Sequence, residues 1–180
     1  MELRVPEPPL TDGEVNLRPP RETDLPAIER GITDPDVLRW IGPSDSARET
    51  LELNRSGWTG GTGATFSICD FTDECVGHVW VNLEGSRQAE VGYWLLPEAR
   101  GKGLATRAVR LISRWALDEL GLARLSLMAE PANELSQRVA ERSGFVREGV
   151  LRSYKEMAGR RIDCVVFSLL PSDVDGDHTG

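Results

Sequence analysis

The sequence predicts an α+β fold: a mixed, mostly antiparallel sheet of six to seven strands with about four flanking helices. Three observations carry this. Ala64–Cys69 and Cys75–Val81 alternate apolar and polar residues on either side of Asp73-Glu74, as the arms of a hairpin do. Between 89 and 129 an apolar run, a Gly-rich turn, a helical stripe and a second apolar run follow one another. Such a strand–helix–strand unit requires one parallel pair with a right-handed crossover. Finally, 180 residues with 39% hydrophobic and 28% charged content, and no internal repeat, fit a single domain.

Taken in order, residues 1–14 are Pro-rich and read as a flexible leader. Val15–Arg18 is a short strand closed by Pro19-Pro20. Thr23 or Asp24 can cap a helix to Arg30, with Pro26 tolerated in its first turn. Helices over Asp34–Trp40 and Ser46–Arg55 follow, then a Gly-rich loop at 57–63. After the hairpin, 89–96 is the next strand. Leu104–Leu120 is a helix because Ala105, Ala108, Val109, Ile112, Trp115 and Ala116 share one stripe. Gly121 stands where its stop belongs. Arg124–Ala129 is a strand, and Asn133 caps a short helix that ends at Gly144. Strands near 145–151 and 163–170 close a domain spanning 15–171. Residues 172–180 read as an acidic, flexible tail.

Composition excludes several functions. No apolar run reaches the roughly 18 residues of a membrane span, and the first residues lack a signal-peptide core, so a cytoplasmic protein is expected. Cys69, Cys75 and Cys164 form no Cys-x-x-Cys pair and have no histidine at ligand spacing; they read as reduced thiols in strands, with no metal site. The net charge of −8 opposes nucleic-acid binding, although leader and tail carry most of it and leave about −2 for the body.

The most informative stretch is Arg100-Gly101-Lys102-Gly103-Leu104-Ala105. A tight turn from strand into helix aims consecutive N–H groups and the positive end of the helix dipole at one point. Two glycines permit close approach, and Arg100 and Lys102 add positive charge, so a phosphate or pyrophosphate is the expected occupant. The P-loop pattern fails, with Leu96 at its first glycine and Gly103 after Lys102. The dinucleotide fingerprint fails at Thr106.

Here the chain resembles the GNAT acetyltransferase superfamily, whose signature Arg/Gln-x-x-Gly-x-Gly/Ala is matched by Arg100, Gly103 and Ala105. Asn133-x-x-Ser136 and Ser143-Gly144-Phe145-Val146 match its second block. Leu17-Arg18 with Asp24-Leu25, and the ending Asp163–Leu170, are similar to the RimJ/RimL-type branch, which modifies protein N-termini. The likeness runs from about 15 to 170.

The resemblance implies acetyl-CoA as co-substrate and no metal. It implies that strand 89–96 splays from strand 124–129, with the pantetheine arm in the gap. Backbone groups of Trp94 and Leu95 would pair with that arm, and the Leu95 N–H would polarise the thioester carbonyl. Arg100, Gly101, Lys102, Gly103, Leu104, Ala105 and Thr106 would hold the pyrophosphate. Asn133 reads both as a helix cap and, by resemblance, as a contact to the arm.

The family's usual general acid is a Tyr at the position of Ala140. RimJ/RimL-type chains use a Ser at the position of Ser136 instead. A departing thiol with a cysteine-like pKa near 8.5 needs little help, so a hydroxyl there suffices. The alternatives are a Ser136 that only faces a polar turn, and Tyr154 as the acid. Glu90 stands where several relatives place a general base, on one strand face with Gly92 and Trp94, and reads otherwise as a solvated carboxylate.

The expected function is therefore acetyl transfer to a primary amine by direct attack in a ternary complex, with a protein or peptide N-terminal α-amine as acceptor. Such an amine (pKa near 7.8) is roughly one-third free base at pH 7.5, against about 0.1% for a lysine amine. The alternatives are a small-molecule amine or another acyl-CoA such as succinyl-CoA, with a pocket around Trp40, Trp58 and residues 152–162. A further alternative is a non-catalytic CoA-binding module, since the usual Tyr is missing. A homodimer is expected by analogy alone.

Overall fold

Each residue of the stripe from Ala105 to Ala116 is buried, and the helix that carries it forms one wall of the main core. The computed structural model describes residues 3–85, 87–157 and 159–175. Its strands are β1 (Leu10–Thr11), β2 (Asn16–Arg18), β3 (Gly63–Cys69), β4 (Cys75–Leu83), β5 (Gln88–Leu95), β6 (Arg124–Ala129), β7 (Val146–Met157) and β8 (Arg160–Leu169). Its helices are α1 (Leu25–Ile32), α2 (Pro35–Trp40), α3 (Ala47–Gly60), α4 (Leu104–Asp118), α5 (Glu134–Arg142) and α6 (Pro171–Asp175). Among these residues no helix is long and apolar enough to cross a membrane, and no cluster of three metal-ligating side chains occurs.

One sheet of eight strands runs β1-β2-β3-β4-β5-β6-β8-β7. Among the described residues only β5 and β6 pair in parallel, joined through α4 as the crossover. Alternation on β4 and β5 divides the two faces. Val79, Val81 and Val91 join Ile112, Trp115 and Phe167 in the core under α4 and α5. Trp80 and Trp94 turn to the other face, where Val37 of α2 and Ala27 of α1 cover them. Gly31 of α1 lies so close to the Trp94 ring that a Cβ there would sit 2.4 Å from it.

Three expectations change. The strand count is eight because the leader supplies β1, which pairs with β2, while Leu3 is buried and donates its N–H to the Trp58 carbonyl. The Gly-rich loop starts late: α3 continues to Gly60 and stops at Gly61, whose φ is +64°. Burial of Trp58 against Phe66 and Trp115 outweighs the low helix propensity of Gly57 and Gly60. The structure has six helices where about four were expected; α6 is the one with no counterpart among the segments named above, and there Asp173 accepts the Leu170 N–H at 2.9 Å. Residues 176–180 of the acidic tail lie outside the described residues.

A buried ionic knot locks β2 to α1. Arg18 grips Asp24 with two bonds of 2.8 and 2.9 Å, and Ser67 donates to the same carboxylate at 2.7 Å. Burial pushes the Asp24 carboxyl up, but Arg18, the Arg21 N–H and Ser67 outweigh it and hold the group below the usual carboxylate range. This is the physical content of the Leu17-Arg18 and Asp24-Leu25 pattern.

Candidate active site

The last register pair between β5 and β6 is Glu90 with Ser126, yet β5 continues to Leu95 and β6 to Ala129. The two strands therefore form a fork that opens toward their C-terminal ends. Which backbone groups face it follows from parity. The Leu96 N–H donates to Val76 and the Gln88 carbonyl accepts from Glu84, each at 2.9 Å, so even-numbered residues of β5 turn toward β4. The Arg87 carbonyl accepts from Ala123 at 2.7 Å, so odd-numbered residues turn toward β6. Tyr93 and Leu95 thus present backbone groups to the fork. The backbone of Trp94 belongs to β4, which corrects its expected pairing with the cofactor arm.

At the open end of the fork lies the Gly-rich loop. Gly101 and Gly103 have φ of +75° and +79°, a conformation that glycine alone adopts without strain, and added Cβ atoms would meet nothing within 4 Å. Gly103 is the N-cap of α4 without any side-chain cap, so the N–H groups of Leu104, Ala105 and Thr106 are the orphan donors of a fifteen-residue helix. Lys102 is exposed. Arg100 behaves differently from expectation. Its guanidinium donates to Asp34 at 2.5 Å, to Asp36 at 2.7 Å and to the Leu95 carbonyl at 3.1 Å. It joins the end of β5 to the N-terminus of α2, so its charge is already balanced by carboxylates.

Asn133 caps α5: its side-chain oxygen accepts the Ser136 N–H at 3.1 Å. Ser136 is half-buried in the first turn of α5, with its hydroxyl near the Tyr93 phenol. Burial pushes the Tyr93 phenol up, and Ser136 opposes this in part. Tyr93 was not singled out by sequence; its odd-numbered place on β5, in phase with Leu95, was the available signal. Tyr154 is exposed on β7.

Glu90 sits at the closed end of the fork and is ion-paired to Lys155 at 2.5 Å. Leu95 lies five steps further along the strand, roughly 17 Å away. A base at Glu90 and an oxyanion donor at Leu95 cannot serve one carbonyl. Of the aromatic residues expected in the acceptor pocket, Trp40 is half-buried at the end of α2 with Arg39 stacked on it at 4.4 Å. Trp58 is a core residue, packed against Phe66 and Trp115.

These features agree with comparisons to known proteins. The family model for the acetyltransferase (GNAT) domain matches residues 14–146. N-acetyltransferase p20 of Bacillus licheniformis is 31% identical over 170 residues, covering 90% of this chain and 96% of that protein. YdaF of Bacillus subtilis, which carries the name of a ribosomal N-acetyltransferase, is 40% identical over 92 residues; the match spans 51% of this chain and only half of YdaF. The structure of RimJ from Mycobacterium smegmatis with CoA-disulfide superposes with a TM-score of 0.79 at 25% identity, covering 97% of this chain and 88% of that one. More partial relatives from Escherichia coli are named for two different acceptors. The ribosomal-protein-serine acetyltransferase is 28% identical over 64% of this chain and 66% of its own length. The spermidine N(1)-acetyltransferase is 38% identical over 36% and 35%. A fork flanked by two helix N-termini, in a chain that matches the family model over most of its length, places this protein in the GNAT acetyltransferase family, as an acetyl-CoA-dependent N-acetyltransferase of RimJ/RimL-like type.

Proposed function

We propose that the acceptor is the N-terminal α-amine of a protein or peptide. The observation that carries this is the ion pairing of the carboxylates around the fork. Glu90 is paired with Lys155, Glu130 with Arg160 at 3.2 Å, and Glu148 with Arg124 at 2.5 Å. These carboxylates have their cations already, and a polyamine would have to displace them. An α-amine arrives one-third uncharged at pH 7.5 and needs no counter-ion.

In this reading acetyl-CoA lays its arm along β5, pairing with backbone groups of Tyr93 and Leu95 in place of the missing β6 partners. Its pyrophosphate takes the N–H groups from Gly101 to Thr106, with Lys102 beside them, and Arg100 holds the loop's shape instead of touching the phosphates. Asn133 combines its cap with a contact to the arm through its free amide NH2. The amine attacks the thioester carbonyl, and a tetrahedral oxyanion forms. Three residues separate Tyr93 from Glu90, about 10 Å, so the Tyr93 N–H fits that oxyanion better than the Leu95 N–H does. Glu90 takes the amine's proton through water. The C–S bond then breaks, and Ser136, beside Tyr93, donates a hydrogen bond to the departing thiolate.

The test is thiol release from acetyl-CoA with peptides bearing free or blocked N-termini, and with linear polyamines. Free-N-terminus peptides are expected to be turned over and blocked ones not. Ser136→Ala is expected to lower kcat about 10²-fold with acetyl-CoA affinity unchanged. Faster turnover of polyamines than of peptides would replace this acceptor assignment. Binding of CoA without turnover of any amine would identify a CoA-binding module.

A further inference from the structure

The β7–β8 hairpin contains an irregularity that the acyl-transfer chemistry above leaves without a purpose. Leu151 faces Cys164, and the next register pair is Lys155 with Ile162, so β7 carries four steps where β8 carries two. Within this bulge Ser153 has φ +49°, which is strained for a residue with a side chain. The strain is held from both sides. The Ser153 N–H donates to Asp163 at 2.8 Å, and the Ser153 carbonyl accepts from Arg161 at 2.9 Å. Bulges re-aim side chains and cluster beside active sites. This one places Lys155 where an uninterrupted ladder would put residue 153, and there its ammonium meets Glu90 across 65 residues of sequence.

We propose that Lys155 is a built-in competitor for the acceptor, an ammonium that occupies the carboxylate of Glu90 and thereby selects against strongly basic amines. This rests on the acetyltransferase reading of the fork. Before it can react, an alkylamine is almost wholly an ammonium at neutral pH and would enter with a need for an anionic partner. Glu90 is the carboxylate at the closed end of the fork, and Lys155 already holds it. An α-amine entering as the free base makes no such demand. Both partners are only partly exposed, at 23% and 37%, so the pair is reachable by solvent yet less screened than a fully exposed one. Lys155 is thus a specificity-determining residue and takes no part in bond making. Arg160 and Arg124 hold Glu130 and Glu148 in ion pairs of their own, and Glu148 stands at a second irregularity of β7, between Arg147 and Gly149.

The experiment is calorimetric binding to the CoA-loaded protein at pH 7.5, with 1,4-diaminobutane and a short peptide with a free N-terminus as probes. The proteins are wild type, Lys155→Met and Lys155→Arg. Removing the ammonium while keeping the side chain's length is expected to tighten diamine binding about fivefold, near 1 kcal/mol, and to leave peptide binding within twofold. Lys155→Arg keeps the charge and is expected to match wild type. Equal changes for both probes, no change for the diamine, or weaker diamine binding in Lys155→Met would each overturn the proposal. Because the readout is binding, it stands apart from turnover. Absence of thiol release by wild type with every amine would instead refute the acetyltransferase reading, while the ratio of the two affinities would still decide the role of Lys155.

Discussion

His78 shows how much a single buried residue decides. It lies on β4 with its ring against Trp94 at 4.9 Å between centroids, and its Nδ1 is 3.3 Å from the Asn54 amide. Its Nε2 is buried without a partner among the described residues. Burial pushes its pKa down to about 4, with Asp24 opposing and Arg18 reinforcing. The unfolded chain takes up this proton near pH 6.5, so between 6.5 and 4 it binds more protons than the folded one. Stability from this residue is therefore complete above pH 6.5 and lost as pH falls toward 4, by about 3 kcal/mol. Urea midpoints at pH 7.5 and 4.5 should show that loss in wild type and a much smaller one in His78→Gln, which retains a partner for Asn54. The sequence places His78 in a strand but carries no sign of its isolation, because its neighbours Asn54 and Trp94 come from distant elements. Tyr93 and Ser136 are 43 residues apart in the same sense: each is legible, their meeting is not.

At the scale of elements, the unexpected part is the tie between α2 and the Gly-rich loop. It is only six residues long, begins at Pro35, and is capped by Asp34, which accepts the N–H groups of Asp36 and Val37. Burial pushes the Asp34 carboxyl up, but Arg100 and these two N–H groups pull it below the usual range. One side chain therefore caps α2 and anchors it to the donor loop. Arg100→Met is expected to release α2 from Trp94 and raise the acceptor KM about tenfold, with the acetyl-CoA Kd changing less than threefold. Steady-state kinetics with calorimetry checks this, and the reverse pattern would restore Arg100 to the phosphate. The signature pointed to an arginine near a phosphate loop and was right about its place. What it lacked was Asp34, 66 residues earlier, which a local motif cannot register. Elements read from period and caps fared well for the same reason in reverse: the α4 stripe, the hairpin and the Asn133 cap depend on neighbours within a few residues. The two-residue β1 and the end of α3 depend on distant packing, and were read differently.

At the scale of the whole molecule, the sheet is held across its middle by very little. Three register pairs, Gln88–Arg124, Ala89–Leu125 and Glu90–Ser126, join β1–β5 to β6–β8, with α4 and α5 bridging one face. The eight-stranded sheet is two ladders with a short seam, and a substrate lying in the fork as proposed would complete the missing rungs. Any ligand that binds this folded form alone raises its stability. Amide hydrogen exchange should register it locally: the N–H groups of Tyr93 and Leu95 exchange quickly without ligand and become protected when acetyl-CoA is added, while those of Gly92 and Trp94, already paired to β4, change little. Uniform protection along β5 would mean that the arm does not lie in the fork. In the proposed reading the short seam would make the donor a temporary ninth strand, and the sheet would have its full cohesion only while CoA lies in the fork.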